Sequence, residues 1–343
     1  MAIRVAINGF GRIGRAFVRA SVHEPDIDLV AINDLGDINA LAYLLRHDSV
    51  YRDFPGQVSV ADGALMLGAK RVVVCSEKDP AKLPWGALGV DVVVESTGFF
   101  TDFGKAKAHL TAGAKRVVIS APAKDGADEA GAPVTGVTVL MGLNEESLKG
   151  SPLSSNASCT TNAASPLIAI LDAAIGIEKA VLSTTHGYTA SQALVDGPSK
   201  KDLKEGRAAA QNIVPTSTGA AVAVTQAYPK LKGLFDGISL RVPVPAGSIA
   251  DVTFIAKRDT SVEEVNKLLT EAAQSPQWSG VFAVTDEPLV SSDIIGSTYG
   301  SVADLGMTRV IGGNLVKVLA WYDNEMGYTH TLVRHVKKAG SIG

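Results

Sequence analysis

Ile3-Arg4-Val5-Ala6-Ile7-Asn8-Gly9-Phe10-Gly11-Arg12-Ile13-Gly14 decides the fold class of the first half of the chain. Ile3, Val5 and Ile7 alternate with Arg4 and Ala6, the period of a strand. The strand runs into Gly-x-Gly-x-x-Gly (Gly9, Gly11, Gly14), after which Ile13, Ala16, Phe17 and Ala20 fall at i, i+3, i+4 and i+7, one face of a helix. A second strand, Leu29-Val30-Ala31-Ile32-Asn33, closes on Asp34, 20 residues beyond Gly14. Three glycines alone are weak evidence. Strand, glycines, helix, strand and acid in this order predict a Rossmann-type α/β dinucleotide-binding unit. The three glycines serve a tight turn, backbone approach to a pyrophosphate and close helix-on-strand packing. The anion then rests on unpaired N–H groups at the helix N-terminus. Asp34 is expected to accept from an adenosine ribose and to repel a 2′-phosphate, which favours NAD over NADP.

Near-continuous apolar strands follow at residues 71–75, 91–95 and 116–120, as in a sheet buried on both faces. Ser96 and Thr97, and Ser120, follow strand C-termini, where ligands bind in open α/β sheets. Phe103, Ala106 and Leu110 predict a helix stopping at Gly113. The chain has 343 residues, enough for about two domains. A net charge of −3 argues against nucleic acid as the main partner. No cationic leader or apolar signal core precedes the first strand, and no apolar run approaches the ~20 residues that cross a bilayer. Two cysteines, Cys75 and Cys159, give no disulfide framework, so the expected compartment is the cytoplasm. No metal site is expected.

Cys159 sits in Ser154-Ser155-Asn156-Ala157-Ser158-Cys159-Thr160-Thr161-Asn162, among hydroxyl and amide side chains. The apolar pattern after it, from Leu167 to Ile175, is helical, and a helix N-terminus lowers a thiol's pKa. Pro166 allows two readings: a helix that begins near Ser165, or one that begins at Cys159 and kinks. A strand from Ala180 leads into His186-Gly187-Tyr188-Thr189, 27 residues after Cys159, an interval that fits a helix and a return strand. Residues 190–210 are polar and irregular, which inside a compact domain points to function. A helix opens at 215–221, a strand at 237–244 carries Arg241, and alternating strands at 251–256 and 315–322 suggest an antiparallel sheet. A tail helix from Asn324 places Tyr328, Leu332, Val333 and Val336 on one face.

With these residues in view, the chain resembles the phosphorylating glyceraldehyde-3-phosphate dehydrogenases over essentially its full length. The matching stretches are Asn8–Gly14, Asn156–Asn162, His186–Thr189, Asp196-Gly-Pro-Ser199, Ser217–Ala221, Leu240–Pro243, Ser291–Thr298 and Trp321–Glu325. The resemblance implies an NAD-binding domain over 1–158, an α+β catalytic domain with a mostly antiparallel sheet over 159–323, and a C-terminal helix over 324–343 returning to the first domain. It implies a homotetramer, with the segment near 187–210 reaching toward a neighbouring subunit's cofactor. It makes Cys159 the nucleophile and His186 the general base, which lowers the thiol's pKa by pairing with it. The reaction implied oxidises glyceraldehyde 3-phosphate through a thiohemiacetal and a thioester, which inorganic phosphate releases as 1,3-bisphosphoglycerate. Thr189 and Arg241 correspond to the substrate-phosphate site, and Ser158, Thr160, Thr218 and Gly219 to the attacking-phosphate site. Gly9, Gly11, Arg12, Ile13, Gly14, Asp34, Lys78, Ser96, Thr97, Ser120, Asn324 and Tyr328 correspond to the cofactor site, the last two as the nicotinamide-orienting pair.

The chain departs from the family at Ala163, where many relatives have a second cysteine, at Met326 in place of a tryptophan, and at Lys78 in place of an arginine. Arg207 is a further candidate for phosphate. Three other readings compete: an erythrose-4-phosphate dehydrogenase, an unrelated semialdehyde dehydrogenase, and a catalytically retired nucleotide- or RNA-binding module. Thr189 with Ser217-Thr218-Gly219 opposes the first, the Cys159 and tail motifs oppose the second, and an intact Cys159 and His186 oppose the third.

Overall fold

Val5, Ala6 and Ile7 have no exposed surface, because their strand lies in the middle of a nine-stranded sheet. A computed structural model describes residues 1–199 and 202–342 and groups them into two units. The first unit holds the chain up to Val139, Glu145–Ala157 and the stretch from Leu332 onward; the second holds Leu140–Asn144 and Ser158–Thr331.

In the first unit the parallel strands β1 (Ile3–Asn8), β2 (Ile27–Asn33), β3 (Lys70–Cys75), β4 (Val92–Glu95) and β5 (Arg116–Ile119) lie in the order β5-β4-β1-β2-β3. Helix α1 (Arg12–Ser21) joins β1 to β2. Val92, Val93 and Val94 are fully buried, as an unalternating apolar run requires. The order reverses at β1, so the C-terminal ends of β1 and β4 flank the crevice where such sheets take their ligands. The helix expected to run from Phe103 to Gly113 is two short ones, Phe103–Ala106 and Ala108–Thr111, each one turn, before Gly113 at φ +98°. Asp102 caps the first by accepting from the N–H groups of Gly104 and Lys105.

The second unit is built on a seven-stranded sheet. Helix α2 (Cys159–Ile175) is followed by β6 (Ile177–Gly187), α3 (Ala220–Ala227), β7 (Phe235–Val242), β8 (Ser248–Ala256), β9 (Ser301–Ile311) and β10 (Leu315–Tyr322). The sheet is mostly antiparallel, but β6 and β7 run parallel, with His186 opposite Arg241. β8 alternates buried and half-buried residues along its whole length. Its Ala250, Val252 and Phe254 share a core with Ala164, Leu167, Ile168 and Leu171 of α2. Each such large side chain removed from water is worth about 1.5–3 kcal/mol. The helix therefore starts at Cys159 with Pro166 inside it, the second of the two readings. Packing along α2 outweighs the one N–H that Pro166 cannot give to the Asn162 carbonyl. Helix α4 (Met326–Gly340) has residues in both units, Tyr328 in the second and His335 in the first.

Candidate active site

The glycine turn of the first unit is constrained twice. Gly9 has φ +95°, and a Cβ on it would meet the Thr97 nitrogen at 2.6 Å; a Cβ on Gly14 would meet the Gly9 carbonyl oxygen at 2.3 Å. The fold thus requires two of the three glycines. Gly11 is different: it caps α1 at φ −72°, no side chain caps that terminus, and nothing lies within 4 Å of where its Cβ would be. The space in front of this helix N-terminus is therefore left open. A groove lined by Asn8, Gly9, Gly11, Asp34, Lys78 and Thr97 opens there. Ser96 also lines it, and its hydroxyl donates to the Gly9 carbonyl at 2.7 Å. The residues fit a dinucleotide.

Other expected cofactor residues have work within the fold. Asp34 accepts from the Phe10 N–H at 2.7 Å and from the Gly36 N–H at 2.8 Å, so it braces the glycine turn as well as offering its remaining lone pairs. Arg12 pairs with Asp48 and stacks on Tyr51, with its guanidinium carbon 5.7 Å from the ring centre. Ile13 and Gly14 lie in the first turn of α1, and Ser120 follows β5 with its N–H on the Glu95 carbonyl. Thr97 lines the groove as well, and its N–H and its hydroxyl both donate to the Glu95 carboxylate, at 2.8 and 2.5 Å.

In the second unit, Cys159 is the first residue of α2 and Ser158 its cap, accepting from the Thr161 N–H at 3.1 Å. The Cys159 Sγ lies 3.3 Å from His186 Nε2. His186 Nδ1 is 2.6 Å from the Gly187 carbonyl and 2.6 Å from the Arg241 guanidinium. These two contacts compete. A proton on Nδ1 serves the carbonyl and turns the Nε2 lone pair to the thiol, whereas a bare Nδ1 accepts from Arg241 and puts the ring proton on Nε2. Burial and the Arg241 charge push His186 down to about 3, against the pull of the Gly187 carbonyl. Burial pushes the Cys159 thiol up, opposed by Arg241 and by the hydroxyl and N–H of Thr160. With the ring neutral, the downward pull on the thiol comes from Arg241 and from the start of α2.

Thr160 is buried. Its hydroxyl lies 2.8 Å from the Tyr322 hydroxyl, which lies 2.7 Å from Thr184 Oγ1, which donates to the Ile249 carbonyl at 3.1 Å. Thr218 is half-buried, with its hydroxyl accepting from the Ala220 N–H at 3.2 Å. Gly219 caps α3 at φ −85° with no side-chain cap and nothing within 4 Å of where a Cβ would sit. Thr161 Oγ1 reaches the Ala220 carbonyl at 3.5 Å, so the starts of α2 and α3 are neighbours. Thr189 is half-buried, its hydroxyl 3.1 Å from that of Ser191. Asn324 accepts at Oδ1 from the Gly247 N–H and the Ser248 hydroxyl, and Ser248 in turn accepts from the Gly187 N–H, which ties Asn324 to the His186 turn. Tyr328 is buried in α4. Arg207 is held by Asp196 at 3.0 Å. Lys200 and Lys201, in the segment expected to reach a neighbouring subunit, lie outside the described residues.

Comparison with known proteins gives the family. Residues 3–103 match the family described as glyceraldehyde 3-phosphate dehydrogenase, NAD binding domain, and residues 158–324 match the one described as its C-terminal domain. The chain belongs to the glyceraldehyde-3-phosphate dehydrogenase family. It is 47% identical to glyceraldehyde-3-phosphate dehydrogenase 1 of Streptomyces avermitilis over 336 residues, 97% of each chain. It is 47% identical over 335 residues to the enzyme of Geobacillus stearothermophilus, again 97% of each. The Zymomonas mobilis enzyme is 46% identical over 336 residues, 97% of each. The chain is an NAD-dependent oxidoreductase of this family.

Two groups escaped the sequence reading. Tyr322, buried behind Thr160, was visible only as part of a motif. Glu95, with 2% of its surface exposed, ends a run of valines, and an acid closing an otherwise apolar strand was the signal for it.

Proposed function

We propose that the chain carries out phosphorylating oxidation of glyceraldehyde 3-phosphate with NAD and inorganic phosphate, through a thioester on Cys159. The observation that carries this reading is the Cys159 Sγ at 3.3 Å from His186 Nε2 at the start of α2, with Arg241 beside the ring. The groove at Gly9, Gly11, Asp34, Lys78 and Ser96 holds the dinucleotide, with Asn324 and Tyr328 orienting its nicotinamide. The substrate's own phosphate draws the Arg241 guanidinium toward itself and Thr189, since a planar fork grips phosphate with two donors. That leaves the Gly187 carbonyl as the partner of Nδ1, and Nε2 becomes free to take the thiol proton. The thiolate adds to the aldehyde carbon, and His186 returns a proton to the developing oxyanion and later removes it. Bound NAD supplies the hydride acceptor that turns this adduct into a thioester. Inorganic phosphate, held by Ser158 at the start of α2 and by Thr218-Gly219 at the start of α3, then attacks the acyl carbon; the carbon–sulfur bond breaks and Cys159 leaves as the thiolate.

We further propose an NAD-binding domain over 1–158, a catalytic domain over 159–323 and a returning C-terminal helix over 324–343. A homotetramer is supported by apolar side chains left in water on the second unit: Leu194 is 81% exposed and Leu203 86%. A cytoplasmic enzyme fits the two free cysteines. Among the described residues no helix is long and apolar enough to cross a membrane.

Rapid mixing tests the chemistry. Without phosphate, glyceraldehyde 3-phosphate and NAD should give a burst of about one NADH per active site, then a slow rate that phosphate restores. Full steady turnover in phosphate-free buffer would mean hydrolysis instead, and faster turnover of erythrose 4-phosphate would move the substrate assignment.

A further inference from the structure

The Glu95 carboxylate closes β4 directly beneath the groove and takes no part in the mechanism above. Its Oε1 accepts from the Thr97 N–H at 2.8 Å and the Thr97 hydroxyl at 2.5 Å. Its Oε2 accepts from Asn8 Nδ2 at 2.6 Å and lies 3.0 Å from His109 Nε2. The indole N–H of Trp85 donates to His109 Nδ1 at 3.0 Å, which forces the ring proton onto Nε2 and makes His109 the fourth donor. The pattern propagates with its direction fixed. Because Glu95 only accepts, Asn8 turns its amide N–H₂ to it and its oxygen to Asn33 Nδ2, at 2.7 Å. Asn33 Nδ2 also donates to the Glu77 carbonyl and Asn33 Oδ1 accepts from the Glu77 N–H, both at 2.9 Å. A single carboxylate thus sets the hydrogen-bond polarity across the C-terminal ends of β4, β1 and β2 and the turn after β3. Asn8, Asn33, Glu77 and Thr97 all line the groove.

We propose that Glu95 is a positioning residue for dinucleotide binding: through Asn8, Asn33 and Thr97 it holds the floor and one wall of the groove in the binding shape before the ligand arrives. This rests on the reading that the groove takes NAD. A glutamine in its place would turn an N–H₂ toward two of the four donors, so either the Thr97 turn lets go or Asn8 and Asn33 must flip. The exchange of both partners, Glu95→Gln with Asn8→Asp, restores most of the match: the introduced amide accepts from Thr97 and donates to the introduced carboxylate, which accepts from Asn33, while His109 Nε2 loses its 3.0 Å acceptor and keeps the 3.4 Å contact to position 8.

The test is calorimetric binding of NAD to purified enzyme, with kinetics as a second readout. Glu95→Gln should weaken NAD about tenfold and raise its KM similarly, with kcat changed less than about threefold, and the double exchange should recover most of the affinity. If Glu95→Gln does not fold, His109→Phe removes one donor from a residue that does not line the groove and should weaken NAD about threefold. Gly11→Val is the control for the groove itself. Loss of NAD binding in Gly11→Val with unchanged affinity in a folded Glu95→Gln or His109→Phe overturns the positioning role; unchanged affinity in Gly11→Val overturns the groove assignment instead.

Discussion

Two helix N-termini in this molecule are built alike and serve different units. α1 begins at Gly11 and α3 at Gly219; neither has a side-chain cap, and neither glycine has a neighbour within 4 Å of a Cβ position. Around Gly11 the backbone is held in place: Gly9 and Gly14 are fixed by contact, and the buried Glu95 meets four donors. Around Gly219 it is open to change. His186 Nδ1 has two incompatible partners, and Arg241 Nε is buried with none. A binding groove gains from holding one shape, whereas a reacting centre needs a proton and a guanidinium that can move.

The largest effect should break the second region and spare the first. Cys159→Ser is expected to lose kcat by about 10⁴ or more while NAD affinity stays within about twofold, because a hydroxyl is scarcely ionised beside a neutral imidazole. Stopped-flow NADH formation and calorimetry on one preparation decide it; retained turnover would end the covalent mechanism.

Arg241→Ala removes a charge that pulls both His186 and Cys159 down. The aldehyde KM should rise about 10- to 100-fold, and carbamidomethylation of Cys159 at pH 7 should slow as the thiol pKa climbs. Faster alkylation would show that the guanidinium does not support the thiolate.

Each region also keeps a buried neutral histidine, His335 in the first unit and His186 in the second, each pushed down to about 3 chiefly by burial. The unfolded chain takes up these protons from about pH 6.5 downward and the folded one does not, so each costs about 1.4 kcal/mol of stability per pH unit as pH falls from 6.5 toward 3. Denaturant titrations at pH 7 and 5 should show a shallower acid loss in His335→Gln; an unchanged slope would remove His335 from the acid limb.

Asp34→Ala should lower kcat/KM for NAD about tenfold and narrow the lead over NADP, through loss of both the ribose acceptor and the brace on Phe10. The smallest effect belongs to Thr218→Ala: the KM for inorganic phosphate should rise about threefold and that for the aldehyde less. Equal changes in both would merge the two anion sites into one.

What could be read in advance follows the range of the interaction that builds each part. The turn at Gly9–Gly14 was legible because strand, glycines and helix are contiguous and each announces itself by its own period. The meeting of Cys159 and His186 could be inferred only from the room between them, and Arg241 only by resemblance, since the parallel register of β6 and β7 is written in no local pattern. Pro166 remained ambiguous because packing decided it, and packing of α2 draws on β8, about 80 residues further along. Glu95 was passed over because its partners are Asn8, Thr97, His109 and, behind the ring, Trp85, a set assembled only by the closed sheet.

The pairing of His186 with Arg241 across two parallel strands also limits how lineages of this enzyme can change in length. A strand alternates its faces, so deleting or inserting one residue inside β6 or β7 would send one of the two side chains to the opposite face of the sheet. The turn between β7 and β8 carries no such parity. Insertions and deletions that survive should accumulate there, leaving the two strands as the fixed ruler against which the rest of the domain varies.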